Sequence, residues 1–263
     1  MIDFSLMSGT GNTFVVIDNR DKIISDVFAF TIEKSKKFHV DGSLIVENSD
    51  SQDFKMRIIN ADGSEAEMCG NGARCIAQFA FDKKIITSKF MSFETLAGPI
   101  KAEIKTNNLV KVQLTPPSDL KENLSLTGDL YTGQTFFINT GVPHTVLFVD
   151  DVDNIDVYGI GKEIRYSDTF KPAGTNVNFV QIIDKHNIKV RTYERGVENE
   201  TKACGTGSTA SALISTVIEK TQNPVEVLTR NKEKLKVYFT FDSTKKKFNN
   251  VFLEGQVSYL KKN

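Results

Sequence analysis

The sequence has few features that would commit the chain to a nucleic acid, a membrane or secretion. Its 263 residues include 33 lysines and arginines and 33 aspartates and glutamates, so the formal net charge is zero. No overall positive field therefore favours nucleic acid or an anionic membrane. No stretch approaches the ~18 consecutive apolar residues of a membrane span, and the amino terminus lacks the pattern of a secretory signal. We expect a cytoplasmic protein that binds neither nucleic acid nor membrane.

Cysteine is also scarce, with three residues in the chain. Three cysteines cannot all pair with one another, and their spacing does not match a zinc site. In a reducing cytosol, a free thiol beside glycines is more often used for chemistry than for cross-linking. The sequence therefore predicts no metal site and indicates that a cysteine beside glycines is a reactive group.

One motif occurs twice. Residues 69–74 (CGNGAR) recur about half a chain length later as residues 204–209 (CGTGST), and each copy follows an acidic stretch and precedes an alanine-rich apolar segment. Upstream, residues 9–18 are echoed by residues 141–150 at nearly the same separation. Two independent features at nearly the same separation indicate an internal duplication.

The duplication predicts two homologous halves that meet near residues 115–118. We assign residues 1–117 to an N-terminal half that carries Cys69, and residues 118–263 to a C-terminal half that carries Cys204 and whose last strand can pack back on the first half. The expected fold class is α+β. The two pseudo-symmetric sheet-and-helix domains are expected to hold the active site in the cleft between them.

Local patterns support this mixture of strands and helices. Runs of β-branched and aromatic residues bounded by turn residues predict strands at 14–18, 42–47, 54–60, 109–114, 136–139 and 189–193, and three more strands within 225–260. Apolar residues at helical spacing predict helices at 27–36, 73–83 and 208–219.

Each cysteine of the repeat lies just before a predicted helix, where we expect the glycines to turn the backbone with positive φ. At a helix N-terminus, free N–H groups and the helix dipole favour a thiolate and lower a cysteine pKa from about 8.5 towards neutrality. The same N–H groups can hold a carboxylate. One Cys-Gly-x-Gly motif therefore combines a base with an anion-binding site.

Two such motifs facing one another suit an epimerase. This type of enzyme removes a proton from one face of a carbon and returns a proton to the other, so a base must stand opposite an acid. Two helix N-termini aimed at a carboxylate would also stabilise the carbanion. Cys69 and Cys204 therefore indicate two-thiol proton exchange. Cys75 lies among apolar helix residues and is expected in the core, whereas His144 is expected either to orient a neighbour or to be structural.

The motifs resemble those of the diaminopimelate epimerases, in the cofactor-independent racemase family that also contains the proline racemases, over essentially the whole chain. The resemblance rests on Gly11-Asn12, residues 60–65 (NADGSE), residues 68–75 (MCGNGARC), Gly141-x-Pro143-His144, residues 175–179 (TNVNF), residues 193–196 (YERG) and residues 203–207 (ACGTG). It implies a cytoplasmic homodimer that needs no cofactor. It also implies conversion of LL-2,6-diaminopimelate to the meso isomer, on the route to lysine and peptidoglycan.

The resemblance also implies roles for individual residues. Cys69 and Cys204 would exchange protons with the α-carbon of the substrate. The backbone cradle for the reacting carboxylate would be formed at Gly70, Asn71, Gly205 and Thr206. Further substrate contacts would come from Asn12, Asn60, Asn176, Glu194 and Arg195. The residues that modulate the thiols would be His144 and Glu194. An arginine fork suits a carboxylate, and amides donate and accept without adding charge.

Three positions depart from the family pattern. Thr13 replaces the usual aspartate, Val142 replaces an asparagine, and residues 38–40 replace a glycine-rich turn. None of these positions is a thiol, so the departures bear on the identity of the substrate and not on proton exchange. One alternative is an epimerase of a related amino acid such as lanthionine. The others are a protein that binds an amino acid without turning it over, and a thiol redox sensor.

Overall fold

The structure, a computed structural model, describes residues 2–106, 108–126, 131 and 133–260. The chain divides into two compact units, which we call unit 1 (residues 1–113 and 254–263) and unit 2 (residues 114–253). Within the described ranges, no helix is long and apolar enough to cross a lipid bilayer.

Unit 1 combines short strands with two helices. In chain order its elements are β1 (Ser5–Gly9), β2 (Asn12–Asp18), α1 (Val27–Phe38), β3 (Gly42–Glu47), β4 (Phe54–Asn60), β5 (Glu65–Ala66), α2 (Gly70–Asp82), β6 (Phe90–Thr95), β7 (Gly98–Ile104) and β8 (Leu109–Gln113). The amphipathic helix α1 buries Val27 and Phe30 in a cluster that includes Val15 and Ile45 of the strands beneath it.

Unit 2 also combines short strands with two α-helices. Its elements are β9 (Ser118–Lys121), β10 (Thr135–Asn139), β11 (Pro143–Phe148), α3 (Val157–Tyr166), a short 3-10 helix (Asp168–Phe170), β12 (Asn176–Ile182), β13 (Asn187–Glu194), β14 (Asn199–Thr201), α4 (Gly205–Val217), β15 (Val225–Leu228), β16 (Lys234–Asp242) and β17 (Lys247–Leu260). The strand β17 begins in unit 2 and ends in unit 1, where residues 257–260 pair antiparallel with β1.

The two units repeat one succession of strand pairings. In unit 1, β1–β2 is antiparallel, β2–β3 parallel, β3–β4 and β4–β5 antiparallel, and β4–β6 parallel. In unit 2, β10–β11 is antiparallel, β11–β12 parallel, β12–β13 and β13–β14 antiparallel, and β13–β15 parallel. The predicted mixture of a few helices with many strands is confirmed. The pseudo-symmetric placement of two domains stays a prediction.

The helices α2 and α4 lie at corresponding places in this succession, and each is the most buried helix of its unit. Residues 71–80 of α2 and residues 207–215 of α4 are buried throughout. A helix that is enclosed on all sides needs small or apolar residues around its whole circumference. The alanines and glycines of both helices and the serines of α4 fit this enclosure, whereas α2 also buries the polar Asn71, Arg74 and Gln78.

Candidate active site

Cys69 and Cys204 occupy the N-cap positions of α2 and α4. Both have extended backbone conformations, with φ −144° and ψ 115° at Cys69 and φ −127° and ψ 113° at Cys204. The Sγ atom of Cys69 accepts a hydrogen bond from the Gly72 N–H at 3.4 Å, and that of Cys204 accepts one from the Gly207 N–H at 3.4 Å. A sulfur atom therefore occupies the position of the usual capping oxygen. Both cysteines therefore lie directly before a helix, where the sequence predicts them.

The glycines of the two motifs do not adopt positive φ, so that expectation is wrong. They belong to the helices, which begin at Gly70 and Gly205 because each cysteine is itself the cap. Their missing side chain instead permits close packing. A Cβ atom added at Gly72 would lie 2.9 Å from a methyl carbon of Leu44, and one added at Gly207 would lie 2.3 Å from Oδ1 of Asn178.

In unit 1, a chain of side-chain hydrogen bonds joins the start of α2 to the start of β2. The buried Arg74 donates to Oδ1 of Asn71 at 2.7 Å, and Nδ2 of Asn71 donates to Oδ1 of Asn12 at 2.6 Å. Asn12 in turn donates from Nδ2 to Asp41 at 3.3 Å. An arginine only donates and an ionised carboxylate only accepts, so this chain has one direction. It places Asn12 and Asn71 together beside the Cys69 helix start.

Asn60 lies at the same end of the unit 1 strands as Asn12. It ends β4, while β2 and β3 begin at Asn12 and Gly42. The N–H of Ala61 donates to the carbonyl of Asp41 at 2.9 Å, which ties these strand ends together. The Asn60 side chain donates to Ser64 Oγ at 2.9 Å. The predicted residues of unit 1 therefore share one end of the strands.

In unit 2, Asn176 joins the start of β11 to the loop after β13. Its Nδ2 donates to the Pro143 carbonyl at 2.8 Å, and its Oδ1 accepts from the Arg195 N–H at 2.9 Å. The Arg195 side chain donates to the Ala173 carbonyl at 3.1 Å. Glu194 is the last residue of β13, directly before Arg195. Asn176 thus holds the backbone of this segment in place.

Thr206 connects the first turn of α4 to the turn that precedes β11. Its carbonyl accepts a hydrogen bond from Thr140 Oγ1 at 3.0 Å. Its own hydroxyl lies 3.5 Å from the sulfur of Cys204. The predicted cradle residues Gly205 and Thr206 therefore belong to the same local structure as the Cys204 thiol.

His144 is fully buried on β11. Burial, and then the positive charge of Arg195, lower the pKa of its imidazole to about 3. The ring is therefore neutral near pH 7. Its Nδ1 atom lies 3.1 Å from Nδ2 of Asn178.

The third cysteine lies away from this chemistry. Cys75 is fully buried on α2, as expected for a core residue, and burial raises the pKa of its thiol to about 12. It is therefore a thiol and not a thiolate at neutral pH. Within the ranges that the structure describes, no group of three or more His, Cys, Asp or Glu side chains is arranged to hold a metal ion.

Sequence reasoning missed Arg74, Asp41, Asn178 and Thr192 as contributors to the site. Arg74 and Asn178 were within reach, because they lie inside the motifs at 68–75 and 175–179. Asp41 directly precedes β3, and Thr192 lies on β13. Only the folded structure shows that they contact Asn12 and Asn178.

Known proteins are similar to this chain in sequence. A family model described as diaminopimelate epimerase matches residues 4–120 and 136–259. The diaminopimelate epimerase of Aquifex aeolicus is 46% identical, with 97% of this chain and 95% of that protein covered. The diaminopimelate epimerase of a Hydrogenobaculum species is 42% identical, with 94% of this chain and 92% of that protein covered.

Two solved structures show the same fold at low sequence identity. A phenazine biosynthesis protein of the PhzF family from Bacillus anthracis aligns with a TM-score of 0.79 at 15% identity, covering 99% of this chain and 97% of that chain. A hydroxyproline epimerase from Agrobacterium vitis aligns with a TM-score of 0.67 at 13% identity, covering 98% and 88%.

Proposed function

The chain belongs to the diaminopimelate epimerase family, and we propose that it converts LL-2,6-diaminopimelate to the meso isomer with Cys69 and Cys204 as its acid and base. The observation that carries the proposal is the matched capping of two helices by these two thiols, at corresponding places in two units. The product would serve the synthesis of lysine and peptidoglycan precursors.

In the proposed reaction, one cysteine acts as a thiolate and the other as a thiol. The thiolate takes the α-proton from one face of the substrate carbon, and the electron pair of the broken C–H bond is delocalised into the adjacent carboxylate. The opposite thiol then gives its proton to the other face and becomes the thiolate. The reverse reaction exchanges the two roles, so both groups need pKa values near the working pH.

Charge stabilisation comes from the helix starts. The N–H groups of Gly70 and Asn71, and those of Gly205 and Thr206, lie in the first turns of α2 and α4, where a helix has no intrahelical acceptor for them and an anion can bind. They would hold the reacting carboxylate and stabilise the negative charge that it gains in the transition state. No added cofactor is required for this chemistry.

The two halves, residues 1–117 and 118–263, are proposed to be pseudo-symmetric domains with the active site in the cleft between them. The duplicated motif and the matching succession of strands support this arrangement. An epimerase needs its two thiols on opposite faces of one carbon, and a duplicated chain supplies such a pair directly.

The remaining polar residues are proposed to bind the ends of the substrate. The oriented amides of Asn12 and Asn71, together with Asn60, would serve in the first half, and Asn176, Glu194 and Arg195 in the second. His144 and Glu194 would modulate the thiols. The hydrogen bonds that already orient Asn12, Asn71 and Asn176 support this assignment, because a preorganised contact loses less entropy on binding.

Proton NMR of the reduced protein with LL-diaminopimelate in deuterated water tests the proposal. We expect the meso isomer to appear with deuterium at one α-carbon, without any added cofactor. Because Thr13 and Val142 depart from the family pattern, lanthionine is the matched second substrate. Exchange with lanthionine alone would keep the two-thiol chemistry and change the substrate, whereas no exchange with either compound would contradict the proposal.

Location and assembly are further parts of the proposal. We expect a cytoplasmic homodimer, as the family resemblance implies. Light scattering coupled to size-exclusion chromatography measures the mass directly. A species of twice the 29.3 kDa chain mass is expected, and a monomer at micromolar concentration would contradict a stable dimer.

A further inference from the structure

The orientation of the Asn178 side chain is fixed by the backbone carbonyl of Thr145. One of its amide atoms lies 2.9 Å from the carbonyl oxygen of Thr145, which only accepts hydrogen bonds, so this atom must be Nδ2. The other amide atom, Oδ1, accepts from the Thr192 hydroxyl at 3.0 Å. Asn178 is itself fully buried. Exchanging its nitrogen and oxygen would therefore set two oxygens against each other away from water.

This orientation determines where His144 carries its proton. Nδ2 of Asn178 has two hydrogens, one bonded to Thr145 and the other directed at Nδ1 of His144 over 3.1 Å. Since Nδ2 only donates, Nδ1 of the neutral ring must accept, and the ring hydrogen must be on Nε2. Asn178 thereby selects one of the two tautomers of His144.

The Nε2–H group that results has no hydrogen-bond partner among the residues that the structure describes. The ring is fully buried, and an unpaired buried donor costs free energy that a binding partner would recover. Arg195 lies near enough to lower the pKa of the His144 ring. Asn176 is the strand partner of His144 across the parallel β11–β12 pair. The unpaired donor therefore belongs to the substrate-binding residues of unit 2.

Asn178 also contacts the start of α4. A Cβ atom at Gly207 would lie 2.3 Å from its Oδ1 and 3.3 Å from the Cβ of Cys204. The amide that orients His144 thus packs against the turn whose N–H group binds the Cys204 sulfur. One buried side chain connects β11, β12, β13 and the thiol-bearing helix start.

We propose that Asn178 is a positioning residue that holds His144 as a fixed Nε2–H donor to an anionic group of the active site. This inference rests on the proposed function. The acceptor is either a carboxylate of the substrate or a cysteine thiolate, since both are anions that accept a hydrogen bond from a neutral imidazole. In this role His144 donates a hydrogen bond and does not transfer the α-proton.

The first test needs no substrate, so its result does not depend on the proposed function. Long-range 1H–15N NMR correlations distinguish the two histidine tautomers, and the chain has only three histidines. His39 and His186 are exposed, and a His144→Gln variant assigns the remaining resonance. We expect the Nε2–H form for His144 in the native protein. An Nδ1–H form would overturn the inference.

Asn178→Asp changes the tautomer with little change of shape. A carboxylate at this position accepts a hydrogen bond from Nδ1, so the ring proton should move from Nε2 to Nδ1, or the ring should become an imidazolium. We expect turnover to fall about tenfold or more, because the variant loses one hydrogen bond to a charged group. Asn249→Asp is the matched control, because Asn249 is exposed on β17, and it should leave both tautomer and turnover unchanged.

Two measurements on Asn178→Asp separate the two acceptors. If the cysteines of the variant react more slowly with iodoacetamide in the absence of substrate, the acceptor of the His144 hydrogen bond is a thiolate. If KM rises and alkylation is unchanged, the acceptor is a carboxylate of the substrate. Either result supports the inference. A changed tautomer with native kinetics would overturn it. If the aspartate variant does not fold, Thr192→Val loosens the same amide, and we expect a smaller effect in the same direction.

Discussion

Asn71 donates a hydrogen bond from its side-chain Nδ2 to Oδ1 of Asn12 over 2.6 Å. Arg74 on one side and Asp41 on the other give this bond its direction, because the guanidinium can only donate and the carboxylate can only accept. The two amides are therefore oriented before any ligand arrives. A contact that is oriented in advance improves both affinity and positioning.

The first prediction concerns the end of this chain of hydrogen bonds. Asn12→Asp sets a second carboxylate against Asp41 in place of a donor, and we expect the free energy of unfolding to fall by about 1 kcal/mol. Adding Asp41→Asn restores an amide opposite a carboxylate and should recover part of that loss. Urea unfolding of both single variants and the double variant measures the coupling. Strictly additive losses would contradict the direct contact.

The second prediction concerns the thiols. Cys69→Ser and Cys204→Ser should each abolish turnover, because a serine hydroxyl is too weak an acid and base near pH 7, while each variant stays folded. Deuterium incorporation by NMR measures turnover, and thermal unfolding checks the fold. Cys75→Ser is the control. The Cys75 thiol lies in the core, so this substitution should lower the thermal stability and leave turnover by the folded protein unchanged. Native turnover in either of the first two variants would contradict the two-thiol mechanism.

Strands and helices with strong local patterns could be read from the sequence. The predicted strands at 42–47 and 54–60 have the bounds that the structure shows. In both segments, apolar residues either alternate with polar ones or form a continuous run, and turn residues stand at the ends. The helix α3 was missed. Val157, Gly161 and Ile164 are buried at helical spacing, but two of the ten residues are glycines, which disfavour a helix, and tertiary packing against β12 and β13 supports it.

The candidate site was predictable where it depends on repeated motifs and not where it depends on strand register. Two Cys-Gly-x-Gly motifs placed both thiols at helix starts. Each helix begins three residues before its predicted start at 73 or 208, because the cysteine itself is the capping residue. The contact of Asn178 with His144 follows from the pairing of β11 with β12. No local property of either strand fixes that register.

The third prediction compares the two second glycines of the motifs. At Gly72 a new Cβ would meet a terminal methyl carbon of Leu44 at 2.9 Å, which can move aside. At Gly207 it would meet Oδ1 of Asn178 at 2.3 Å, in a buried amide held by hydrogen bonds. We expect Gly207→Ala to be destabilised by about 2 kcal/mol or more, and Gly72→Ala by less. Thermal unfolding compares the pair, and equal losses would contradict the difference.

The last prediction follows from the low pKa of His144. Its pKa is about 3 in the folded protein and about 6.5 in an unfolded chain. Below pH 6.5 the unfolded state therefore binds a proton that the folded state excludes. The resulting stabilisation of the native state is complete above pH 6.5 and is lost as the pH falls towards 3, at up to about 1.4 kcal/mol per pH unit.

Urea unfolding at about pH 6.5, 6.0 and 5.5 measures this slope above the range in which most carboxylates titrate. His144→Gln removes the titrating ring, so its free energy of unfolding should vary less with pH than that of the native protein. His186→Gln removes an exposed histidine and should keep the native slope. Equal slopes in the native protein and His144→Gln would mean that the buried ring takes up a proton readily. Such a ring could not be held as the neutral donor that its contact with Asn178 requires.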